Sequence, residues 1–93
     1  MNKAESDHIE SVVTQGCLAC RLSGFEGTQA EYHHIGNGTM GKRASNYEGI
    51  ALCPIHHRTG GHGVAVHAGR KAFEEVFGSE QELLKMTLRG LNE

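Results

Sequence analysis

Two short segments of the chain carry residues that bind soft metal ions. The first, CLAC, supplies Cys17 and Cys20, and the second, CPIH, supplies Cys53 and His56. Each pair has two residues between its ligands, a spacing typical of structural zinc sites. The chain has three cysteines, an odd number that a Cys3His site uses completely and a disulfide framework does not. We therefore predict one structural zinc ion, with three buried free cysteines as the alternative.

A second group of histidines lies between and just after these pairs. His33 and His34 are neighbours in YHHI, and His57 directly follows the zinc ligand His56. Histidine ionises near neutral pH, so it either binds a metal or takes a proton from water. Because neighbouring side chains of a strand point to opposite faces, one of the pair can face a metal while the other reaches a water molecule. The alternative is that both are partly buried polar residues held by hydrogen bonds.

Helices and strands must hold both groups of residues in place. Ile9, Val12 and Val13 fall at helical spacing among polar residues, which predicts a helix over residues 4–15. Short stretches rich in β-favouring residues predict strands over residues 30–35 and 48–52, joined by a glycine-rich loop over residues 36–46. IHHRT predicts one or two helical turns after Pro54. The following GGHGVAVH is too rich in glycine for a helix.

Two helices are predicted near the C-terminus. Residues 68–77 place their apolar side chains on one face, and Gly78 is the expected C-cap. Ser79 and Glu82 form a capping box, which begins a second helix that ends at Gly90.

Composition limits the class of protein and its compartment. The net charge is −2 with neutral histidine, which excludes a strongly basic nucleic-acid binder. A bound divalent ion would nevertheless place positive charge where a phosphate sits. The N-terminal segment MNKAESDHIE is polar and acidic, unlike a signal peptide, and no apolar stretch approaches the length of a membrane span. We expect a reducing, cytoplasmic setting and no membrane partner.

The motifs together resemble those of a known family. YHHIG followed by EGIALCPIHH resembles the motif of HNH endonucleases, whose β–β–α unit holds one catalytic metal ion. The ordered set CLAC, HHIGNGTMGKR, LCPIHH and HGVAVHAGRKAFE is more specific. It is similar to the catalytic domain of phage recombination enhancement function (Ref) nucleases, HNH-type enzymes whose activity depends on RecA filaments. The resemblance covers about residues 17–85.

The resemblance implies a fold and an activity. The fold class is α+β, a small zinc-stapled HNH ββα-metal domain with flanking helices. Residues 1–93 would form one nuclease domain, with an N-terminal helix in 1–15, the zinc knuckles and ββα core in 17–67, and helices in 68–90. The implied activity is metal-dependent hydrolysis of DNA phosphodiester bonds. The alternative is a non-catalytic zinc-binding adaptor in recombination, which has no need of paired histidines outside the zinc set.

Roles for the histidines follow from the same resemblance. It implies that His33 binds the catalytic metal and that His34 is the general base. His57, the first helical histidine after the knuckle, is a further metal ligand, and His62 fits the last ligand position best. The implied ion is Mg²⁺ or Mn²⁺, although three histidines also suit Zn²⁺.

Two further positions complete the implied site. The asparagine that gives the HNH motif its name falls at Glu48 in this chain, which makes Glu48 the candidate catalytic residue of the middle position. Asn46 lies close by but out of register. His67 lies where the glycine-rich link meets the next helix, and helix capping or packing is as plausible there as a catalytic role.

The expected partners are DNA and RecA. The candidate phosphate contacts are basic residues in the loop and around the later helices: Lys42, Arg43, Arg58, Arg70 and Lys71. The chain lacks the basic N-terminal arm of longer family members, so we expect weak capture of bare duplex DNA. The expected substrate is a single strand or a displacement loop held by a RecA filament, in the cytoplasm of a bacterial host of a phage or prophage.

Overall fold

The computed structural model describes residues 1–35 and 45–91. In these residues the chain forms four α-helices and two short strands. The helices are α1 (Lys3–Thr14), α2 (Leu18–Leu22), α3 (Arg70–Phe77) and α4 (Glu80–Leu91). The strands are β1 (Glu31–His34) and β2 (Gly49–Leu52). The predicted α+β class and both predicted strands are therefore confirmed.

The two strands form an antiparallel ladder that supports the paired histidines. His33 lies opposite Ile50, and His34 lies opposite Gly49. Every residue of β2 is buried, because α1, α2 and α4 all contact this strand. β1 is more exposed, and its burial differs between neighbours: His33 is buried and His34 is exposed. Because successive side chains of a strand point to opposite faces, the two histidine rings lie on opposite sides of β1.

An irregular helical turn follows β2 and carries the next two histidines. Residues Ile55–Thr59 form a π-helical turn, in which the Gly60 N–H donates to the Ile55 carbonyl at 2.9 Å. Such wide turns are rare and occur frequently at functional sites. A short 3₁₀ turn (Val66–Ala68) lies farther along, inside the link predicted to be non-helical. Burial of Val66 ties this turn to the core despite the surrounding glycines.

The helix ends largely follow the sequence pattern. Ser79 and Glu82 form the predicted capping box, with the Glu82 N–H donating to Ser79 Oγ at 3.1 Å. Gly78 ends α3 at a φ of 112°. Gly90, however, lies inside α4, which continues to Leu91. A side chain at Gly90 would lie 3.2 Å from Nε2 of Gln15, so glycine here permits close packing against the end of α1.

The first cysteine pair lies at the start of a short helix. Cys17 and Cys20 belong to the segment that forms α2. Cys17 is its N-cap, with Sγ accepting from the Cys20 N–H at 3.4 Å. A sulfur cap satisfies a backbone donor that would otherwise have no partner at the start of the helix.

The core lies between the ladder and the helices. Its largest fully buried apolar side chains are Phe73, Ile50, Leu52, Leu83 and Val12. The buried cysteines of the predicted zinc site belong to the same cluster. No helix among the described residues has the length and apolar character to cross a membrane.

Candidate functional site

Three cysteines and one histidine converge on a single point beside the core. Cys20 Sγ lies 3.9 Å from Cys53 Sγ. The His56 Nδ1 atom lies 3.5 Å from the sulfurs of Cys17 and Cys20 and 3.2 Å from that of Cys53. A zinc tetrahedron with ordinary bond lengths has S···S edges of about 3.8 Å and S···N edges of about 3.5 Å. The four atoms therefore fit the edges of a tetrahedral zinc site.

The burial of these ligands favours a bound cation. Cys17 is fully buried, and burial raises the pKa of its thiol to about 11. A thiolate at this position thus needs a nearby positive charge, which a zinc ion supplies. Burial also lowers the pKa of His56, so its imidazole is neutral and able to ligate. The ligands come from α2, the end of β2 and the π-helical turn, and one ion would join these three segments.

A second cluster contains His33, His57 and His67. The ligand atoms of these side chains all lie within 4.8 Å of one another. The Nε2 atoms of His57 and His67 are 3.0 Å apart. The His33 ring lies edge-on to both, at centroid distances of 5.1 and 5.2 Å. β1, the π-helical turn and the 3₁₀ turn each contribute one histidine, so the three rings meet only in the folded chain.

A carboxylate orients His57 toward the other histidines. Glu31 Oε1 lies 2.8 Å from His57 Nδ1, and the same carboxylate accepts two hydrogen bonds from Arg58. The Arg58 guanidinium, followed by the contact with His57, lowers the pKa of Glu31 to about 2. An ionised carboxylate only accepts hydrogen bonds, so His57 Nδ1 carries the proton. The lone pair of His57 Nε2 then faces His67, as metal binding requires.

His33 has a similar partner from the other end of the chain. Glu80, at the start of α4, is 7% exposed, and its Oε2 lies 2.6 Å from His33 Nε2. Arg70 approaches the second oxygen of Glu80 at 3.7 Å. This contact leaves the other ring nitrogen of His33 for a metal ion. Carboxylates behind ligating histidines fix the ring tautomer and raise the basicity of the ligand.

The third histidine of the cluster is His67. The resemblance to HNH nucleases implies His62 for this ligand position. Burial, with the neighbouring His57 and His33 rings, lowers the pKa of His67 and so favours its neutral, ligating form. The exposed His62 instead lies against Gly69, where an added Cβ would be 2.6 Å from its Nδ1 atom. The donor set of three imidazoles with carboxylates behind two of them suits a divalent transition metal.

His34 lies on the other face of β1 with a different set of partners. Its ring packs edge-on to Tyr32 at 5.0 Å, and its Nε2 lies 2.9 Å from Asn46 Oδ1. The Tyr32 hydroxyl donates to the Asn46 carbonyl at 2.9 Å, and burial raises the pKa of Tyr32 to about 12, which keeps that donor protonated. The exposed Glu48 accepts through its backbone carbonyl from Ile35. Asn46, not Glu48, is therefore the residue whose side chain contacts His34.

The candidate phosphate contacts are distributed unevenly. Lys42 and Arg43 lie outside the described residues. The N–H groups of two Arg58 nitrogens donate to the Glu31 carboxylate, which holds Arg58 beside the histidine cluster. Arg70 is exposed near Glu80, and Lys71 is exposed at the start of α3.

Several of these contacts have no signal in the local sequence. Counting back from the knuckle cysteine gives Glu48, whereas the turn before β2 brings Asn46 to His34. HGVAVH contains both candidate ligands, but its spacing does not distinguish His62 from His67. Glu31 and Glu80 carry no local signal, since each resembles any acidic residue at the start of a strand or helix.

The fold and the two clusters define a small α+β protein with two groups of side chains suited to metal ions. The model of the family described as recombination enhancement, RecA-dependent nuclease matches residues 2–92, so the chain belongs to this family. By that description the protein is a nuclease of recombination enhancement that depends on RecA. A comparison with curated proteins finds no match.

Proposed function

We propose that the chain is a metal-dependent DNA endonuclease of the HNH ββα-metal kind. The observation that carries this proposal is the convergence of His33, His57 and His67. His34, the neighbour of His33 in β1, lies on the other face of the strand with its side chain against Asn46. The antiparallel strand pair and the helical turn after it position His33, His34 and His57, and the 3₁₀ turn adds His67. Ordinary packing does not require three neighbouring histidines, two of which have a carboxylate at hydrogen-bond distance from one ring nitrogen.

The three clustered histidines would hold one divalent ion. Such an ion supplies Lewis-acid stabilisation of the charge on a leaving phosphodiester oxygen. Glu31 and Glu80 keep one nitrogen of His57 and of His33 directed into the cluster. Mg²⁺ or Mn²⁺ is the activating ion that we propose, and Zn²⁺ is the alternative that three imidazole ligands favour.

His34 is the general base in this proposal. Because Asn46 Oδ1 lies at its Nε2, a neutral His34 carries its proton there and has a free lone pair on Nδ1. That nitrogen takes the proton from a water molecule that attacks the phosphorus. His34 is exposed and lies at the end of β1, where a DNA backbone has access. The role of the HNH middle position belongs to Asn46 rather than to Glu48.

RecA would supply the DNA that the domain captures weakly. The net charge is −2, and two of the five candidate phosphate contacts, Arg58 and Arg70, lie beside carboxylates. Few phosphate contacts give weak binding at physiological salt. We propose that the substrate is a single strand or a displacement loop presented by a RecA filament in the bacterial cytoplasm, with the gene carried by a phage or prophage.

The Cys3His cluster has a structural role in this proposal. It lies beside the core and joins α2, the end of β2 and the π-helical turn. The ligand His56 and the cluster residue His57 are neighbours in that turn. A zinc ion at His56 therefore fixes the backbone that presents His57.

A cleavage assay with matched histidine variants tests the proposal. The substrate is a displacement loop made by a RecA filament on plasmid DNA, at fixed salt with Mg²⁺ or Mn²⁺. His34→Ala should lower the cleavage rate by about 10²- to 10⁴-fold, the usual contribution of a positioned base. His62→Ala is the control, because His62 is an exposed histidine outside both clusters.

The outcomes separate the proposal from its competitors. Full cleavage by the His34→Ala variant would contradict the assigned base. Absence of cleavage by the wild-type chain, despite full zinc content and binding to the RecA–DNA complex, would identify an adaptor that does not cut. Equal cleavage of bare duplex and of the RecA-paired substrate would contradict the proposed route of DNA capture.

A further inference from the structure

The side chain that holds Asn46 comes from the N-terminal helix. Asn46 Nδ2 donates to Glu5 Oε2 at 2.7 Å, a contact between residues 41 positions apart. The other Glu5 oxygen accepts from the Asn2 N–H at 3.0 Å, as part of the capping box of α1. Both oxygens of Glu5 therefore have donors. The bonds from Asn2 and Asn46 lower the pKa of Glu5, so the carboxylate is ionised at neutral pH.

We propose that Glu5 is a positioning residue, which sets the orientation of the Asn46 amide and through it the ring tautomer of His34. The inference rests on the proposed role of His34 as the base. It makes the activity of His34 depend on a residue outside the strand pair and the helical turn, since Glu5 lies in α1.

The orientation of the Asn46 amide follows from which neighbouring atoms donate hydrogen bonds and which accept them. A carboxylate has no proton to give, so the Asn46 atom that faces Glu5 must be the NH₂ group. The amide oxygen of Asn46 then faces His34, at 2.9 Å from Nε2. An amide oxygen only accepts, so His34 Nε2 carries the proton and Nδ1 is free to act as a base. The ionised Glu5 thus selects the tautomer of a ring that it does not touch.

Removal of Glu5 leaves the Asn46 amide free to turn over. In the reversed orientation the NH₂ group faces His34 Nε2, which then accepts and leaves the proton on Nδ1. That tautomer cannot take a proton from water at Nδ1. The Tyr32 hydroxyl does not prevent the reversal, because it holds the backbone carbonyl of Asn46 and not its side chain.

Two variants of Glu5 and two controls separate positioning from helix stability. Glu5→Ala removes the carboxylate. Glu5→Asp retains the charge, but its side chain is shorter by about 1.5 Å and does not reach Asn46. Asp7→Ala removes a carboxylate of the same helix that is bound only to Lys3 among the contacts described. Asn2→Ala removes the side-chain cap of α1 and leaves Glu5 in place.

The direct readout is the tautomer of His34 by long-range ¹H–¹⁵N NMR of the zinc-loaded protein at about pH 8, above the ordinary histidine range. The chain has 7 histidines, and the spectrum of His34→Ala assigns the signal. We expect the Nε2–H form in the wild type and both controls, and a mixture in both Glu5 variants. Manganese affinity should be unchanged throughout.

Cleavage of the RecA-paired substrate is the second readout. Both Glu5 variants should lower kcat by roughly tenfold with KM unchanged, a part of the roughly 10²- to 10⁴-fold that a positioned base contributes. The two controls should cleave like the wild type. A His34 that keeps the Nε2–H form in Glu5→Ala would overturn the inference. A changed tautomer with undiminished cleavage would support the positioning by Glu5 and would overturn His34 as the base.

Discussion

Removal of the proposed structural zinc should unfold the chain, because such an ion would contribute about as much free energy as the whole fold retains. A domain of 93 residues has a free energy of unfolding of roughly 5–14 kcal/mol at about 0.05–0.15 kcal/mol per residue. A structural zinc site contributes on the order of 10 kcal/mol or more. The two quantities are of similar size, so the metal-free chain should have little or no net stability.

The structure explains why so much depends on one ion. The four proposed zinc ligands come from three segments, and their sulfur and nitrogen atoms lie within 4.8 Å of one another where a single ion would join them. Cys17 and Cys53 also belong to the same core cluster as Leu52 and Leu83, so loss of the ion should loosen that apolar cluster. His56→Ala should unfold the chain as chelation of the zinc does. His62→Ala should retain the zinc and the melting temperature of the wild type.

The assay combines elemental analysis with circular dichroism during titration by a strong zinc chelator. We expect one zinc per chain in the purified protein and loss of helical signal in parallel with loss of zinc. Protein that contains no zinc and still melts cooperatively at an unchanged temperature would refute this reasoning. The same result for His56→Ala would show that the cluster packs without a metal.

Three other substitutions test separate parts of the structure. Glu31→Gln should weaken Mn²⁺ binding by roughly 10- to 100-fold, because His57 loses its carboxylate partner; isothermal titration of the zinc-loaded protein measures this. Gly49→Ala should displace the Tyr32 ring, since the new Cβ would lie 2.3 Å from Tyr32 Cζ, and NMR should show altered signals of both strands with zinc retained. Phe73→Ala should lower the free energy of unfolding by about 3–5 kcal/mol, the cost of deleting a buried aromatic ring, as measured by denaturation in urea.

Local patterns were sufficient to predict most of the elements. The capping box at Ser79 and the glycine at the end of α3 depend on neighbouring residues, and both lie where the sequence places them. The matched cysteine spacing likewise predicted the convergence of Cys17, Cys20, Cys53 and His56. Those predictions rest on contacts between residues that are close in the chain or on a spacing that a metal imposes.

The candidate site was less predictable because its contacts join distant segments. Glu80 reaches His33 across 47 positions, and Glu31 reaches His57 across 26. Nothing in the local sequence marks either carboxylate. The position of His67 has the same origin, because His33 and His57, the residues that it lies beside, come from distant segments of the chain.

Binding of Mn²⁺ to the zinc-loaded protein tests the central claim most directly. The measurement is an electron paramagnetic resonance titration of the wild type, His67→Ala and His62→Ala, each with its zinc content verified. His67 lies in the cluster with His33 and His57, and His62 does not. We predict one Mn²⁺ site in the wild type and in His62→Ala, and a loss of affinity of at least about tenfold in His67→Ala. Loss of the site in His62→Ala, with normal binding by His67→Ala, would contradict the proposed metal centre.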